Sequence, residues 1–230
     1  LSEIDPSRSQ RQPLNRENAL SGVRLLAAAV IMTGEPGIRI PDATNPDEGI
    51  DAELVLGDWN PPEVRALLER GIFNDVIYGM VRFRHREVRE LLAAEWFSRQ
   101  LNDGHSRRAI ESLFIREQYG QLVITPRLRP ILPWLILFDN ELRQKVLKIS
   151  PEIVFEGGDA ARLPLTERKM ILTDVVNRIA EGKDDHSARD NNAIARIAQP
   201  DLMNDTLNLI GKYRNNDDAI FFLGRLVWQG

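Results

Sequence analysis

The strongest candidate for chemistry in the sequence is His85, in a segment where arginine occupies positions 82, 84, 86 and 89. An imidazole N–H can donate a hydrogen bond to a phosphate oxygen, and nearby guanidinium groups raise the local positive potential. The residues before His85 favour a strand and those after it favour a helix, and the backbone N–H groups at a helix start also attract an anion. The segment is therefore suited to contact a phosphate group. Two plainer interpretations stand beside this one: the histidine caps or packs against the helix, and the arginines form a solvated surface.

The rest of the sequence lacks the patterns of common catalytic sites. The chain has no cysteine, which excludes thiolate catalysis, disulfides and cysteine-ligated metals. The glycine-containing stretch 34–37 lacks the Lys-Ser or Lys-Thr pair that a phosphate-binding loop requires. The three histidines, His85, His105 and His186, show no metal-ligand spacing on a shared face. We therefore expect a non-catalytic segment with no metal site and no cofactor of its own.

Composition and charge are those of an ordinary globular protein. Hydrophobic residues make up 43% of the chain and charged residues 28%. The net charge of −4 predicts no general affinity for nucleic acid or for acidic membranes. Because no signal peptide and no apolar run near the length of a membrane span is recognisable, we expect a cytoplasmic location. Leu1 at the start and apolar residues up to Trp228 lead us to expect a segment of a longer protein.

The first part of the chain begins with a polar stretch and continues into helices. Residues 1–14 have little apolar content and predict a linker. Asn15 is a suitable N-cap for a helix with a clear apolar face, and this helix should stop before Gly34. The acidic stretch 35–58 is rich in proline and glycine and predicts a loop. A short helix should follow from Pro61 to Arg70.

A change of period after Gly71 indicates a β-hairpin. The residues of 72–83 form short apolar pairs around turn residues, which predicts two strands. The stretch 86–101 then returns to helical spacing. Two helices, a hairpin and a third helix predict a winged-helix domain over residues 15–104.

The remainder of the chain, residues 105–230, is predicted to be helical throughout. Pro126, Pro164 and Pro200 recur at similar intervals, which is compatible with helix-pair repeats of the HEAT or armadillo kind. The predicted fold class is therefore mostly α, with a winged helix followed by a HEAT/armadillo-like helical repeat array. The expected helices are 107–117, 127–138, 140–149, 166–181, 189–198, 201–213 and 217–228.

The segment from Phe83 to Ala94, FRHREVRELLAA, resembles a signature of the NACHT branch of the STAND signalling NTPases. In that family the pattern is Phe-x-His, four residues, Glu, two apolar residues and Ala-Ala, and it lies in the winged-helix domain. Phe83, His85, Glu90 and the pair Ala93-Ala94 occupy these positions. The resemblance covers roughly residues 15–160 well and the rest more loosely. We expect Glu90 to pair with a neighbouring arginine or to cap locally, and the two alanines to permit close helix packing.

The resemblance implies a regulatory switch in a bacterial signalling protein, with antiphage defence as the expected role. In such proteins an ATPase core precedes the winged helix, and an array that senses a ligand follows it. The family's histidine contacts the β-phosphate of ADP and helps to hold the closed, inactive form, a role that would fall on His85. The implied cofactors are ATP or ADP with magnesium, bound by the parent protein. The implied partners are the NTPase core of the same chain, a protein ligand or effector on the repeats, and further copies on activation.

Two other functions remain open at the level of the sequence. The arginines at positions 82–89 are compatible with a winged-helix regulator that binds nucleic acid. The net negative charge, the acidic stretch 35–58 and the absence of basic residues at Asn74-Asp75 make nucleic acid an unlikely partner. The other alternative is a helical-repeat scaffold for protein interaction, on which the hairpin 72–83 is only a decoration.

Overall fold

The computed structural model describes residues 14–41, 43, 48–103, 106–183 and 191–229, and these are mostly helical with a few short strands. The chain forms two compact units, which divide between Ile110 and Glu111. The linker was expected over 1–14, and of these residues only Leu14 is described. The expected domain boundary lies between residues 104 and 105, and both are outside the described residues. Within these ranges no helix combines the length and the apolar character that crossing a membrane would require.

Two long helices form the centre of the first unit. Helix α1 is Arg16–Thr33, with the Asn15 side chain accepting from the Glu17 N–H and with Gly34 in a left-handed conformation after its end. Helix α4 is Arg86–Asn102. Both predicted helices are confirmed. The sequence could predict them because a helix is specified by capping residues and apolar spacing that lie within a few residues of each other. The two helices pack on each other, and the apolar side chains of this core include Leu26, Ala27, Ala28, Ala93, Ala94 and Phe97.

The sequence predicted a loop over 35–58, but the structure has strands and a short helix in this stretch. It contains strand β1 (Ile38–Arg39), strand β2 (Ile50–Asp51) and helix α2 (Ala52–Leu56). Ile38 is fully buried, and β1 pairs in parallel with β2 and antiparallel with a later strand, β3 (Met80–Val81). A strand of two residues is too short to show an alternation of apolar and polar side chains in the sequence. This sheet is therefore recognisable only from the pairing of distant residues in the structure.

Helix α3 (Pro61–Leu68) has a complete capping box. The Asn60 side chain accepts from the Glu63 N–H at 2.9 Å, and the Glu63 carboxylate accepts from the Asn60 N–H at 3.2 Å. The sequence predicted the start of this helix correctly, because proline in the first turn pre-sets the backbone. The predicted end at Arg70 lies two residues after the observed end. Val64 and Leu67 on its inner face are completely buried.

The chain after residue 104 departs from the prediction that every segment there is helical. Helix α5 (Arg107–Phe114) ends three residues before the predicted end at residue 117. Strands β4 (Ile115–Gln118) and β5 (Gln121–Ile124) follow and pair antiparallel, with Ile115 opposite Ile124. The predicted helix 127–138 is broken into a 3₁₀ turn, Arg129–Ile131, and the short helix α6 (Leu132–Leu135). Prolines 130 and 133 favour this break because neither has an N–H to donate.

The remaining helices agree with the sequence in kind and nearly in bounds. They enclose a core in which Phe155 and Phe222 meet edge to face, with ring centroids 5.4 Å apart. In the same unit the buried Arg168 donates to both carboxylate oxygens of Asp201 and to the Leu163 carbonyl. The helices are α7 (Asn140–Ile149), α8 (Leu165–Ala180), α9 (Asn191–Ile197), α10 (Met203–Lys212) and α11 (Asp217–Gln229).

Candidate functional site

The hairpin predicted over residues 72–83 is confirmed, and its second arm leads directly to His85. Phe73 pairs with Phe83 and Ile77 with Met80, across a turn at Tyr78-Gly79. The φ values of 53° and 75° at the turn are those of a type I′ hairpin, which matches the twist of the two strands. The Phe73 and Phe83 rings lie 4.8 Å apart, and Phe73 is 2% exposed, so the base of the hairpin belongs to the core.

His85 lies where the hairpin ends and α4 begins. Its backbone is extended, with φ −122° and ψ 125°, and it occupies the N-cap position of α4 without a side-chain capping bond. The side chain is exposed and has no hydrogen bond or ion pair within the described ranges. Because the imidazole does not cap the helix, its N–H groups and those of the first helical turn can both reach an external acceptor.

The arginines around His85 differ in how they are engaged. Arg84 donates to the Phe73 carbonyl at 3.3 Å and so ties the two arms of the hairpin together. Arg86 donates from Nε to Glu90 at 2.6 Å. Arg89 is attracted electrostatically by Glu90, but its buried Nε has no hydrogen-bond acceptor. Arg82 is exposed, and its side chain has no partner among the residues that the structure describes. Arg82 is therefore the guanidinium beside His85 that is most available to an anion.

Glu90 is one of the few buried charged residues, with 4% exposure. Burial raises the pKa of its carboxyl group, while the hydrogen bond and the charge of Arg86 oppose that shift. The expected pairing of Glu90 with a neighbouring arginine is confirmed. This pair joins the first turn of α4 to its second, and it holds the helix start next to His85 in one arrangement.

The two alanines of the motif lie on the face of α4 that meets α1. Ala93 and Ala94 are completely buried, and their small side chains let the helix backbones approach closely. At the edge of this contact Arg24 of α1 donates to Glu95 of α4 at 2.6 Å. The motif thus divides into a part that builds the helix pair and a part, His85, that faces outward.

The described ranges contain no group of three His, Asp or Glu side chains arranged to hold a metal ion. His105 and His186 lie outside those ranges. Comparison of the chain with protein-family models, with curated proteins and with solved structures gives no match. The residues around His85 and the geometry that presents them are therefore the features of this chain that point to a function.

Proposed function

We propose that this chain is a regulatory segment of a NACHT-type STAND ATPase in signal transduction. In this proposal residues 15–104 are the winged-helix switch domain, and residues 105–230 are the start of the helical repeat region. The observation that carries the proposal is the exposed His85 at the junction of the hairpin and α4, whose side chain has no hydrogen bond or ion pair with the residues that the structure describes. The protein is expected to act in the cytoplasm of a bacterium, in defence against phage.

The residues around His85 fit a phosphate contact. Neutral or protonated imidazole donates at least one N–H, and Arg82 adds a positive charge nearby. His85 would donate to a phosphate of ADP held by an NTPase core in the same polypeptide. That core would also supply the magnesium ligands and the phosphate-binding loop, and ATP bound there would supply the driving force for the switch.

The size of the expected effect follows from one hydrogen bond. A hydrogen bond to a charged acceptor contributes about 1.5–3 kcal/mol. Each 1.4 kcal/mol changes an equilibrium constant about tenfold. One contact at His85 is therefore enough to bias a two-state switch roughly ten- to a hundredfold toward the ADP-bound, closed form.

The second unit supports a role in protein interaction. Helix α11 exposes Phe221, Val227 and Trp228, and Trp228 is 87% exposed. Exposed aromatic residues on one helix are typical of surfaces that contact other proteins. In the proposal this unit belongs to the array that binds a protein ligand or effector, and further copies of the protein assemble on activation.

The two alternatives have less support. The tip of the hairpin exposes Val76, Ile77 and Tyr78 rather than basic residues, which does not favour insertion of this wing into nucleic acid. A scaffold on which the hairpin is a decoration does not require Phe73 to be buried, yet this ring is part of the core.

The proposal is tested in the longer protein that it requires. The coding sequence ahead of residue 1 should contain a glycine-rich loop that ends in Lys-Ser or Lys-Thr. In that protein His85→Ala should accelerate release of a fluorescent ADP analogue about ten- to a hundredfold, measured by stopped flow. His85→Gln keeps an N–H donor and should restore part of the retention, while Arg99→Ala, an exposed arginine at the other end of α4, is the matched control. An ADP release rate unchanged by His85→Ala would overturn the assignment.

A further inference from the structure

A concave pocket lies in the first unit, between α1 and the segment that starts α3. Its volume is about 290 Å³. One wall is a stripe of α1, and the other is the acidic turn between α2 and α3. The lining residues are Leu14, Asn18, Ser21, Asp58, Trp59 and Glu63.

The indole of Trp59 forms part of the pocket because α1 has a glycine opposite it. A Cβ atom on Gly22 would lie 3.0 Å from two carbons of the Trp59 ring and 2.9 Å from Cδ2 of Leu67. Gly22 itself is buried, so the ring packs against the helix backbone. The backbone N–H of Trp59 also donates to the Leu56 carbonyl at 3.2 Å, which fixes the turn that carries the ring.

Two carboxylates lie beside this ring. Asp58 is exposed and has no hydrogen bond or ion pair within the described ranges. Glu63 is half-buried, and its carboxylate is held by the Asn60 N–H in the capping box of α3. Among the described residues that line the pocket there is no cation, while Asn18 and Ser21 add polar atoms that accept hydrogen bonds.

We propose that this pocket binds an organic cation with an apolar stem, of which a guanidinium or ammonium side chain is the model. A cation placed on the face of an indole is attracted by the ring quadrupole, and tryptophan is the most favourable ring for this contact. Asp58 and Glu63 supply the negative charge, and Leu14 offers a contact for the stem. Phosphates and other anions would be repelled by both carboxylates, so the pocket differs in ligand chemistry from the His85 site and does not depend on that assignment.

The test uses the ¹⁵N-labelled chain and amide NMR. Butylguanidine should shift the resonance of the Trp59 indole N–H and the backbone resonances of Asn18 and Ser21. Butylurea, a neutral analogue of the same shape, should bind at least about fivefold more weakly, as the loss of roughly 1 kcal/mol of charge interaction predicts. A capped tripeptide with a central arginine provides the second arm. Tighter binding of the peptide than of butylguanidine identifies a protein side chain as the source of the cation, and equal binding identifies a free organic cation.

Variants inside and outside the pocket distinguish binding in the pocket from a general attraction of the cation to the negatively charged protein. Asp58→Asn should weaken butylguanidine binding about fivefold, and Trp59→Leu about two- to fivefold. Asp103→Asn removes an exposed carboxylate of the same unit outside the pocket and should leave binding unchanged. Because Asp58 is exposed, its variant should fold even where Trp59→Leu does not. Equal binding of butylurea, or binding that Asp58→Asn does not weaken, would overturn the proposal.

Discussion

The two compact units each contain a β-hairpin with the same turn, Tyr-Gly, yet the two hairpins are built into their units differently. At Tyr78-Gly79 the φ values are 53° and 75°, and at Tyr119-Gly120 they are 51° and 76°. The second arm of the first hairpin, β3, pairs with β1 in a three-stranded sheet, and the base of this hairpin is buried through Phe73. The second is a two-stranded sheet, and most of its side chains are exposed.

The comparison shows that local turn chemistry makes a hairpin, whereas the surroundings decide what it does. Two strands alone are marginally stable in water, so each hairpin depends on the unit to which it is attached. The first is held by an aromatic pair and by the Arg84 side chain, and its second arm continues to His85 and α4. The second is closed at its base by the Thr125 N–H, which donates to the Phe114 carbonyl at 2.8 Å. A precise position for an outward-facing side chain is therefore expected at the end of the first hairpin.

The largest expected effect tests whether the first hairpin is part of the core. Phe73→Ala removes a ring that is 2% exposed and should lower the free energy of unfolding by about 3–5 kcal/mol, measured by urea denaturation followed by circular dichroism. Leu122→Ala shortens a side chain of the second hairpin that is 58% exposed. It should lower the free energy of unfolding by less than about 1 kcal/mol. A cost below about 1 kcal/mol for Phe73→Ala would support the decoration model of the hairpin instead.

The two turn glycines allow a matched test of the surroundings. Alanine at either position must adopt a positive φ, which costs roughly 1–2 kcal/mol. A Cβ atom at Gly79 would also lie 2.9 Å from Cβ of Ala43, whereas at Gly120 it would meet nothing within 4 Å. Gly79→Ala should therefore lower the free energy of unfolding by about 2–4 kcal/mol and Gly120→Ala by about 1–2 kcal/mol, again by urea denaturation. Equal costs at the two positions would mean that the Ala43 contact relaxes without loss.

The smallest expected effect concerns the tyrosines, whose exposed rings should matter little. Tyr78 is 89% exposed and Tyr119 is fully exposed, and both hold a positive φ that asparagine adopts more readily. Tyr78→Asn and Tyr119→Asn should each stabilise the protein by a few tenths of a kcal/mol up to about 1 kcal/mol. Calorimetry should then show Tm values higher by about 1–4 °C. Destabilisation at one position alone would reveal a contact of that tyrosine with its own unit.

The second hairpin also shows why the sequence predicted a helix where strands form. Ile110, Leu113 and Phe114 follow helical spacing, and the pattern continues into Ile115, with Arg116 and Glu117 as good helix formers. The helix stops at Phe114 because the following residues pair with Gln121–Ile124 across Tyr119-Gly120. Tyrosine before glycine is a weaker turn signal than asparagine before glycine. At 72–83 the short apolar pairs around turn residues predicted strands, but the sequence did not locate the turn at Tyr78-Gly79.

The candidate site was predictable in its position but not in its supporting contacts. The change from strand to helix at His85 is local, and hairpin and helix form as expected. Burial of Glu90 and its pairing with Arg86 depend on how α4 packs in the unit. From the motif alone, Glu90 could either pair with an arginine or cap the helix locally. The pocket beside Trp59 was not predicted, because Asp58 was one acidic residue among many in a stretch that looked like a loop.

The sequence by itself determined the helices whose caps and apolar faces lie within a few residues of one another, such as α1 between Asn15 and Gly34. It also determined the hairpin that leads to His85. Only the tertiary structure decided the pairing of β1 with β2, the conversion of 115–124 into strands, and the packing of Trp59 on Gly22. The physical reason is the range of the interactions: caps and periodic faces act between sequence neighbours, whereas strand pairs and ring contacts form between residues that only the folded chain brings together.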